Sequence, residues 1–464
     1  MIAPSTLRFD DWAPALAGGE HAEAFLEESQ GTSLHFEESR LLEAATGTDR
    51  GVGLRFLRKN GERSCETIHG SLNSLDPAEA RALAGRLLDG LPRAQPAKGG
   101  PLEYRRHLVS RPPIEVPIEE KIALLRRADS AARACSPHVK QVSAVYAERF
   151  RRFAVLDSSG AFRMSERSVV LFAVTVTAEK GAVLQTGSEV IGGLKGYELF
   201  DDFSPTLAAR CAAKTAVSKL DAPLAPAGEM PVVLASSAGG TFIHEAIGHS
   251  LEADHVQEGT SPHYAGKLGQ PVAKEFLTII DDPTLPYARG SYPFDDEGVG
   301  AQPTPVIRDG VLTDYLYDRL TAMKDGRQSN GHGRRESFRH KPIPRMSNLY
   351  IAPGPDDPKE IVRSIARGLL VTKMGGGQVN TATGEFVFGV DEGFLVQDGT
   401  VRHLVRDANL LGVGPEVLRS IDKLGWDIGW GIGTCGKEGQ GVPVSDGQPT
   451  LRIPKVVVGG REEQ

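Results

Sequence analysis

The run His244-Glu245-Ala246-Ile247-Gly248-His249 places two imidazoles around one carboxylate. In zinc hydrolases such histidines usually stand four apart on one face of a helix, and the glutamate between them serves as general base. Here they stand five apart. At ~100° per residue an α-helix would separate them by about 140° around its axis. The spacing therefore predicts a π-type turn, with Gly248 making the irregularity cheap. With 12 His and 60 acidic residues in 464, a His-acid-x-x-x-His string arises about 0.04 times by chance, so it marks a candidate metal site. The competing reading is a pair of buried histidines bonded to neighbouring backbone.

Two histidines leave a hydrolytic zinc one protein ligand short. Glu252, Asp254 and His255 are the local candidates for the third, and Cys435 is the distant one. Cys435 lies between Gly433 and Gly436, where backbone is free to approach closely and bend, and Lys437 is near enough in sequence to favour a thiolate. Cys65, Cys135 and Cys211 have no such setting and read as buried small hydrophobes. In Asn330–Ser337, Arg334 and Arg335 are candidates to hold a peptide carboxylate or carbonyl; the alternative is a solvated charged loop. The acidic run Phe294–Gly298 reads as a turn. Gly375–Gly377 matches no phosphate-binding pattern, so no nucleotide is expected.

These residues need elements to position them. Glu20–Ser29 reads as helical, followed by strands near 33–38, 41–45 and 51–58 with a tight turn at Asn60-Gly61. Asp76, Pro77 and Glu79 open a helix that runs to Leu88. Six prolines between Pro92 and Pro117 mark a linker or extended crossing segment. Apolar spacing predicts a helix over 117–134, then an antiparallel meander over 141–156, 168–176 and 182–191, and a helix over 204–220. A further helix is expected at 361–370. The expected fold is α+β, with an N-terminal two-part α/β region containing an antiparallel sheet, followed by a β-rich C-terminal domain. The boundaries fall at 1–92, a Pro-rich linker at 93–117, a central part at 118–228, and 229–464.

The chain carries 53 basic and 60 acidic residues, a net charge of −7. No global field draws it to nucleic acid or an anionic membrane. No stretch approaches the ~18 to 20 apolar residues of a membrane span, and no signal-peptide pattern opens it. Four scattered cysteines suit a reducing compartment, so cytoplasmic residence is expected.

HEAIGHSLEADH, FDDEGVGAQPTPVIRDGVLTDYLYD, GHGRRESFRHKPIPRMSN, GGGQVNTATGEFVF and GTCGKEGQGVPVSDGQPTLRI resemble, in order and over nearly the whole chain, the TldD/PmbA family of peptidases. The HExxxH element resembles the TldD-like branch, which is catalytic; the PmbA (TldE) branch lacks it. The resemblance implies one Zn²⁺ held by His244, His249 and Cys435, with Glu245 as base. It also implies a dimer, either with a metal-free PmbA/TldE-like relative around an enclosed chamber or with a second copy. The expected activity is hydrolysis of short or unfolded peptides. Two alternatives are a hydrolase that matures a ribosomally made modified peptide, and a non-catalytic assembly subunit with a structural metal. The intact Glu245 argues against the last, since a structural site needs no base.

Overall fold

The structure, a computed structural model, describes residues 2–60, 64–380 and 382–460. Its N-terminal half is organised by one sheet made of β1 (His21–Glu37), β2 (Arg40–Lys59), β3 (Cys65–Leu72), β4 (Glu103–Arg106), β5 (Val139–Asp157), β6 (Phe162–Lys180) and β7 (Val183–Gly193). The order is β3-β2-β1-β5-β6-β4, and β7 also pairs with β6. β1 pairs antiparallel with β5 from Glu23↔Asp157 to Glu37↔Ser143, so one sheet runs through both N-terminal segments. The proline-rich stretch between them contributes β4, parallel to β6.

The segment expected as a helix over Glu20–Ser29 is therefore strand from His21 onward. Its Ala, Glu and Leu favour a helix locally, but β1 is paired along both edges, to β2 and β5, and tertiary pairing overrides a weak propensity. The turn expected at Asn60-Gly61 falls partly outside the described residues. Three helices match the expectation closely: Pro77–Leu87, with Asp76 accepting from the Ala78 amide, Ile118–Arg133, and Pro205–Lys219.

Successive residues of a strand point to opposite faces, and this sheet uses both. Ala24 and Leu26 pack with Ala80, Leu83 and Ala84 of the first helix. Tyr146, Phe172 and Val174 pack with Leu125, Ala128 and Ala212 of the other two. On the other face Phe25, Phe153 and Val155 meet Phe294 and Phe338 of the C-terminal domain. Around this contact the charges are also buried: Arg55 donates to Asp318 at 3.0 Å and to Glu297, and Arg335 to Glu23.

The C-terminal domain holds a closed barrel. Strands Arg367–Val379, Gly228–Leu234, Leu451–Gly459, Asn409–Val413 and Glu385–Gln397 pair in that order, and the last returns to the first. The expected helix at 361–370 is split: a helix covers Pro358–Arg363, and from Arg367 the chain is strand, because Leu369–Val371 pairs parallel with Val232–Leu234. A second sheet ends in the hairpin Gly429–Lys437 and Gln440–Gln448, with Gly429–Lys437 at its edge. Among the described residues no helix is long and apolar enough to cross a membrane.

Candidate metal centre

The helical segment that carries the paired histidines begins after strand Gly228–Leu234 and is anchored by its apolar face. Phe242, Ile243, Ala246 and Ile247 are buried in the C-terminal core, and Phe242 meets Phe386 edge-on at 5.7 Å. The opposite face is left to His244, Glu245 and His249. Gly240 brings this segment against the hairpin: its amide donates to the Asp446 carbonyl at 3.1 Å, and a Cβ there would lie 2.5 Å from the Gly447 nitrogen.

His244–Gly248 forms a π-helical turn, and the His249 amide donates to the carbonyl of His244 five residues back. The widened turn brings both rings to one side, with centroids 5.1 Å apart and planes at 89°. Gly248 itself has ordinary helical angles, φ −56° and ψ −53°. Its role is therefore space rather than conformational freedom, since a Cβ there would overlap Met346 Sδ and lie 2.8 Å from Leu349 Cδ2.

Cys435 arrives from the hairpin, cross-strand from Val442. Its Sγ lies 3.4 Å from His249 Nε2, and the ligand atoms of His244, His249 and Cys435 all lie within 4.8 Å of one another. All three side chains are buried. The flanking glycines are not close-approach positions: a Cβ at Gly433 would meet Val444 at 3.5 Å, and one at Gly436 would meet nothing within 4 Å. Of the other cysteines, expected to be buried, Cys65 is half-buried and Cys135 and Cys211 are exposed.

Each imidazole is held from behind. His244 Nδ1 lies 2.6 Å from Asp446 Oδ1, and His249 Nδ1 lies 3.0 Å from Glu252 Oε2. Carboxylates at Nδ1 fix the ring orientation that would present Nε2 to a metal. Burial opposes charge on both rings, but Asp446 and then Cys435 raise His244 well above the usual imidazole range, and Glu252 and Cys435 raise His249 to about 10. Burial would raise the Cys435 thiol, yet the two histidines outweigh it and bring it down to about 5. These shifts draw the sulfur toward the thiolate, the form that binds metals, and a metal there would displace the Nε2 protons of the two rings.

These atoms fit a zinc ion. Zn–N and Zn–S distances of ~2.0 and ~2.3 Å place tetrahedral ligands about 3.5 Å apart, close to the 3.4 Å between Cys435 Sγ and His249 Nε2. Glu245 follows His244 on the same turn and is half-buried, and its carboxylate has no hydrogen bond among the described residues.

The local alternatives for a third ligand sit elsewhere. Glu252 stands behind His249, on the Nδ1 side. Its second partner is Lys437, whose Nζ donates to Glu252 Oε2 at 3.0 Å and Asp254 Oδ1 at 2.7 Å. Lys437 thus serves buried Glu252 and half-buried Asp254 rather than the Cys435 thiolate. Glu252, Asp254 and His255 also lie within 4.8 Å of one another, but the Lys437 ammonium already bridges the two acids. Burial and Glu252 push Asp254 up to about 6 against the pull of Lys437.

Arg334 and Arg335 are buried, not solvated. Arg334 donates to the carbonyls of Met346 and Pro443 at 2.5 and 2.8 Å. Arg335 donates to Glu23 and, at 3.0 Å, to the Asp296 carbonyl, and stacks on Phe25. The acidic run is buried with them: Asp296 pairs with Arg151 and Arg167 at 3.1 and 3.0 Å. Asp446 and Arg345 were not picked out from sequence. Arg345 donates to the carbonyls of Cys435 and Gln440 and so braces the hairpin. Their signal is the strand pairing that carries Cys435, which places Asp446 across from Gly431.

Three consecutive domains described for the PmbA/TldA metallopeptidases match this chain: domain 1 over residues 22–86, the central domain over 111–220 and the C-terminal domain over 227–460. The chain belongs to the TldD/PmbA family. A metalloprotease TldD homolog of Haemophilus influenzae is 35% identical over 453 residues, which is 95% of this chain and 93% of that protein. A protein of Saccharolobus solfataricus named zinc metalloprotease TldD homolog is 30% identical over 343 residues, 74% and 76% of the two chains. The crystal structure of TldE from Thermococcus kodakarensis superposes with a TM-score of 0.72 at 18% identity, covering 95% of this chain and 97% of that one. That likeness is one of fold.

Proposed function

We infer that the chain is a zinc-dependent peptidase in which His244, His249 and Cys435 hold one Zn²⁺ and Glu245 is the general base. The convergence of two carboxylate-backed imidazoles and a buried thiolate on one point carries this reading. Zinc bound there would polarise the scissile carbonyl and make a water acidic. Glu245 would take the proton of the attacking water and return it to the leaving amine. Asp446 and Glu252 hold the rings in place while this happens, and Arg345 holds the strand of Cys435.

The edge position of Gly429–Lys437 suits an extended peptide that adds as a further strand beside Cys435. Such pairing reads backbone more than side chains and gives broad specificity toward short or unfolded chains. Trp426 and Trp430 are 63% and 43% exposed near this edge, a surface suited to a partner subunit. A metal-free TldE-like relative, or a second copy, closing the site into a chamber in the cytoplasm would admit only threads. Arg334 and Arg335 are assigned to the cavity behind the hairpin rather than to the scissile bond.

The test is zinc content and cleavage of an unstructured peptide by the wild type, Glu245→Ala and Cys435→Ala, each alone and with a TldE-like partner. Glu245→Ala should keep zinc and lose roughly 10²- to 10⁴-fold in rate. Cys435→Ala should lose zinc. Undiminished cleavage by Glu245→Ala would refute the mechanism, and full zinc in Cys435→Ala would remove that residue from the ligand set.

A further inference from the structure

The sheet face turned toward the C-terminal domain carries Arg149 and Arg151 on β5 and Arg167 on β6. Arg289, Arg334 and Arg335 meet them from the C-terminal domain around a cavity of about 210 Å³. That volume is far above the ~10 to 15 Å³ needed for one water. Thr434 and Pro443, cross-strand neighbours in the hairpin, also line it. By strand alternation they present the face opposite to Cys435.

Carboxylates balance only part of this charge. Glu27 accepts from Arg149 and Arg151 at 2.9 and 2.8 Å, Asp296 from Arg151 and Arg167, and Glu23 from Arg335. Of the remaining acids at the cavity, Glu148 pairs with Lys121 at 2.7 Å, and Glu336 Oε2 accepts from the Gly441 amide at 2.6 Å while its charge acts on Arg149. Arg289 and Arg334 have no carboxylate partner among the described residues. Arg334 meets two carbonyls, and Arg289 meets the Gly433 carbonyl and Thr434 Oγ1, the latter at 3.2 Å. Their exposures are 9% and 2%. Arg289 Nε, Arg335 Nε and Arg335 Nη1 have no acceptor among the described residues.

A guanidinium stays charged at neutral pH, so it cannot escape burial by losing its proton. Buried charge without a counterion is costly. Burial and the neighbouring Arg334 already lower Arg289 to about 10.

We propose that this cavity binds a small oxyanion, a carboxylate or a phosphate, between Arg289 and Arg334. The planar forks of two arginines match the paired oxygens of such an anion. Occupancy would fix Arg289, and through it the Gly433–Thr434 segment that leads into Cys435. The site is separate from the metal centre and does not depend on the peptidase assignment.

The experiment uses the full zinc-loaded chain at constant ionic strength. Inorganic phosphate and acetate are titrated against chloride by calorimetry, with thermal unfolding as a second readout. Saturable binding that raises the unfolding temperature, weakened at least ~10-fold in Arg289→Gln, is the expected result. Wild-type crystals soaked in arsenate give a readout that needs no variant: an anomalous peak beside Arg289 supports the site, and its absence from the cavity overturns it. No saturable binding, or equal affinity in a folded Arg289→Gln protein, also overturns it. A short peptide and its C-terminal amide, each competed against phosphate, separate the sources. Competition by the free acid alone identifies a peptide terminus, competition by neither identifies a free anion, and both outcomes keep the oxyanion site.

Discussion

Asp446 Oδ1 lies 2.6 Å from Nδ1 of His244, although 202 residues separate them in sequence. The contact exists because Gly429–Lys437 and Gln440–Gln448 form one hairpin, which delivers Cys435 to the front of the imidazole and Asp446 to its back. Asp446→Asn keeps the shape but not the charge that orients the ring. It should weaken zinc binding roughly 10- to 100-fold, measured by competition with a chromophoric chelator. Unchanged affinity would show that the carboxylate does not support the metal ligand.

The π-helical turn at His244–Gly248 is packed on Met346 and Leu349 at the one position without a side chain. Gly248→Ala should cost about 1 to 3 kcal/mol through overpacking and lower zinc affinity by displacing His249. Met346→Ala should recover part of that loss in the double variant. A double-mutant cycle in urea denaturation measures the coupling. Strict additivity would mean that the contact with Met346 is not what demands glycine.

Alkylation should separate Cys435 from Cys135 and Cys211. Cys135 and Cys211 are exposed, whereas Cys435 is 4% exposed. A thiolate is the reactive form, but access decides first. Iodoacetamide under native conditions should label Cys135 and Cys211 and spare Cys435, read by peptide mass spectrometry. Early labelling of Cys435 would contradict its burial.

Much of this fold was legible where local chemistry decides structure. Asp76 with Pro77 announces one helix, and the spacing of Ile118, Ile122 and Leu125 announces another. The five-residue spacing of His244 and His249 pointed to the π-turn because two rings share a face only if the helix widens. What stayed hidden depends on distant partners. Glu20–Ser29 reads as helix until β2 and β5 flank it on both sides. Residues 367–370 read as helix until Gly228–Leu234 lies beside them. Asp446 carries no spacing relation to His244, and Gly433 and Gly436 attracted attention for an approach that nothing in the structure makes. Buried charge was the least readable feature: Arg335 and Asp296 look solvated in sequence, and their partners Glu23, Arg151 and Arg167 lie 129 to 312 residues away in the N-terminal sheet.

Glu23 tests that buried charge directly. It is fully buried on β1, bonded to Arg335 and 4.0 Å from Arg55. Burial alone would raise its pKa, but Arg335, His21 and Arg55 together hold it well below the usual carboxylate range. A carboxylate depressed in the folded state stabilises above its unfolded pKa of ~4.3, and the stabilisation is lost as pH falls toward the folded value. Glu23→Gln leaves Arg335 with a neutral partner and should cost about 3 to 5 kcal/mol at pH 7. The gap to wild type should narrow below pH ~4.3, where the unfolded wild-type chain binds a proton at Glu23 that the folded protein still excludes. Urea denaturation of both proteins at pH 7 and pH 3 measures it. An equal gap at the two pH values would mean that the charge of Glu23 is not what joins β1 to the C-terminal domain.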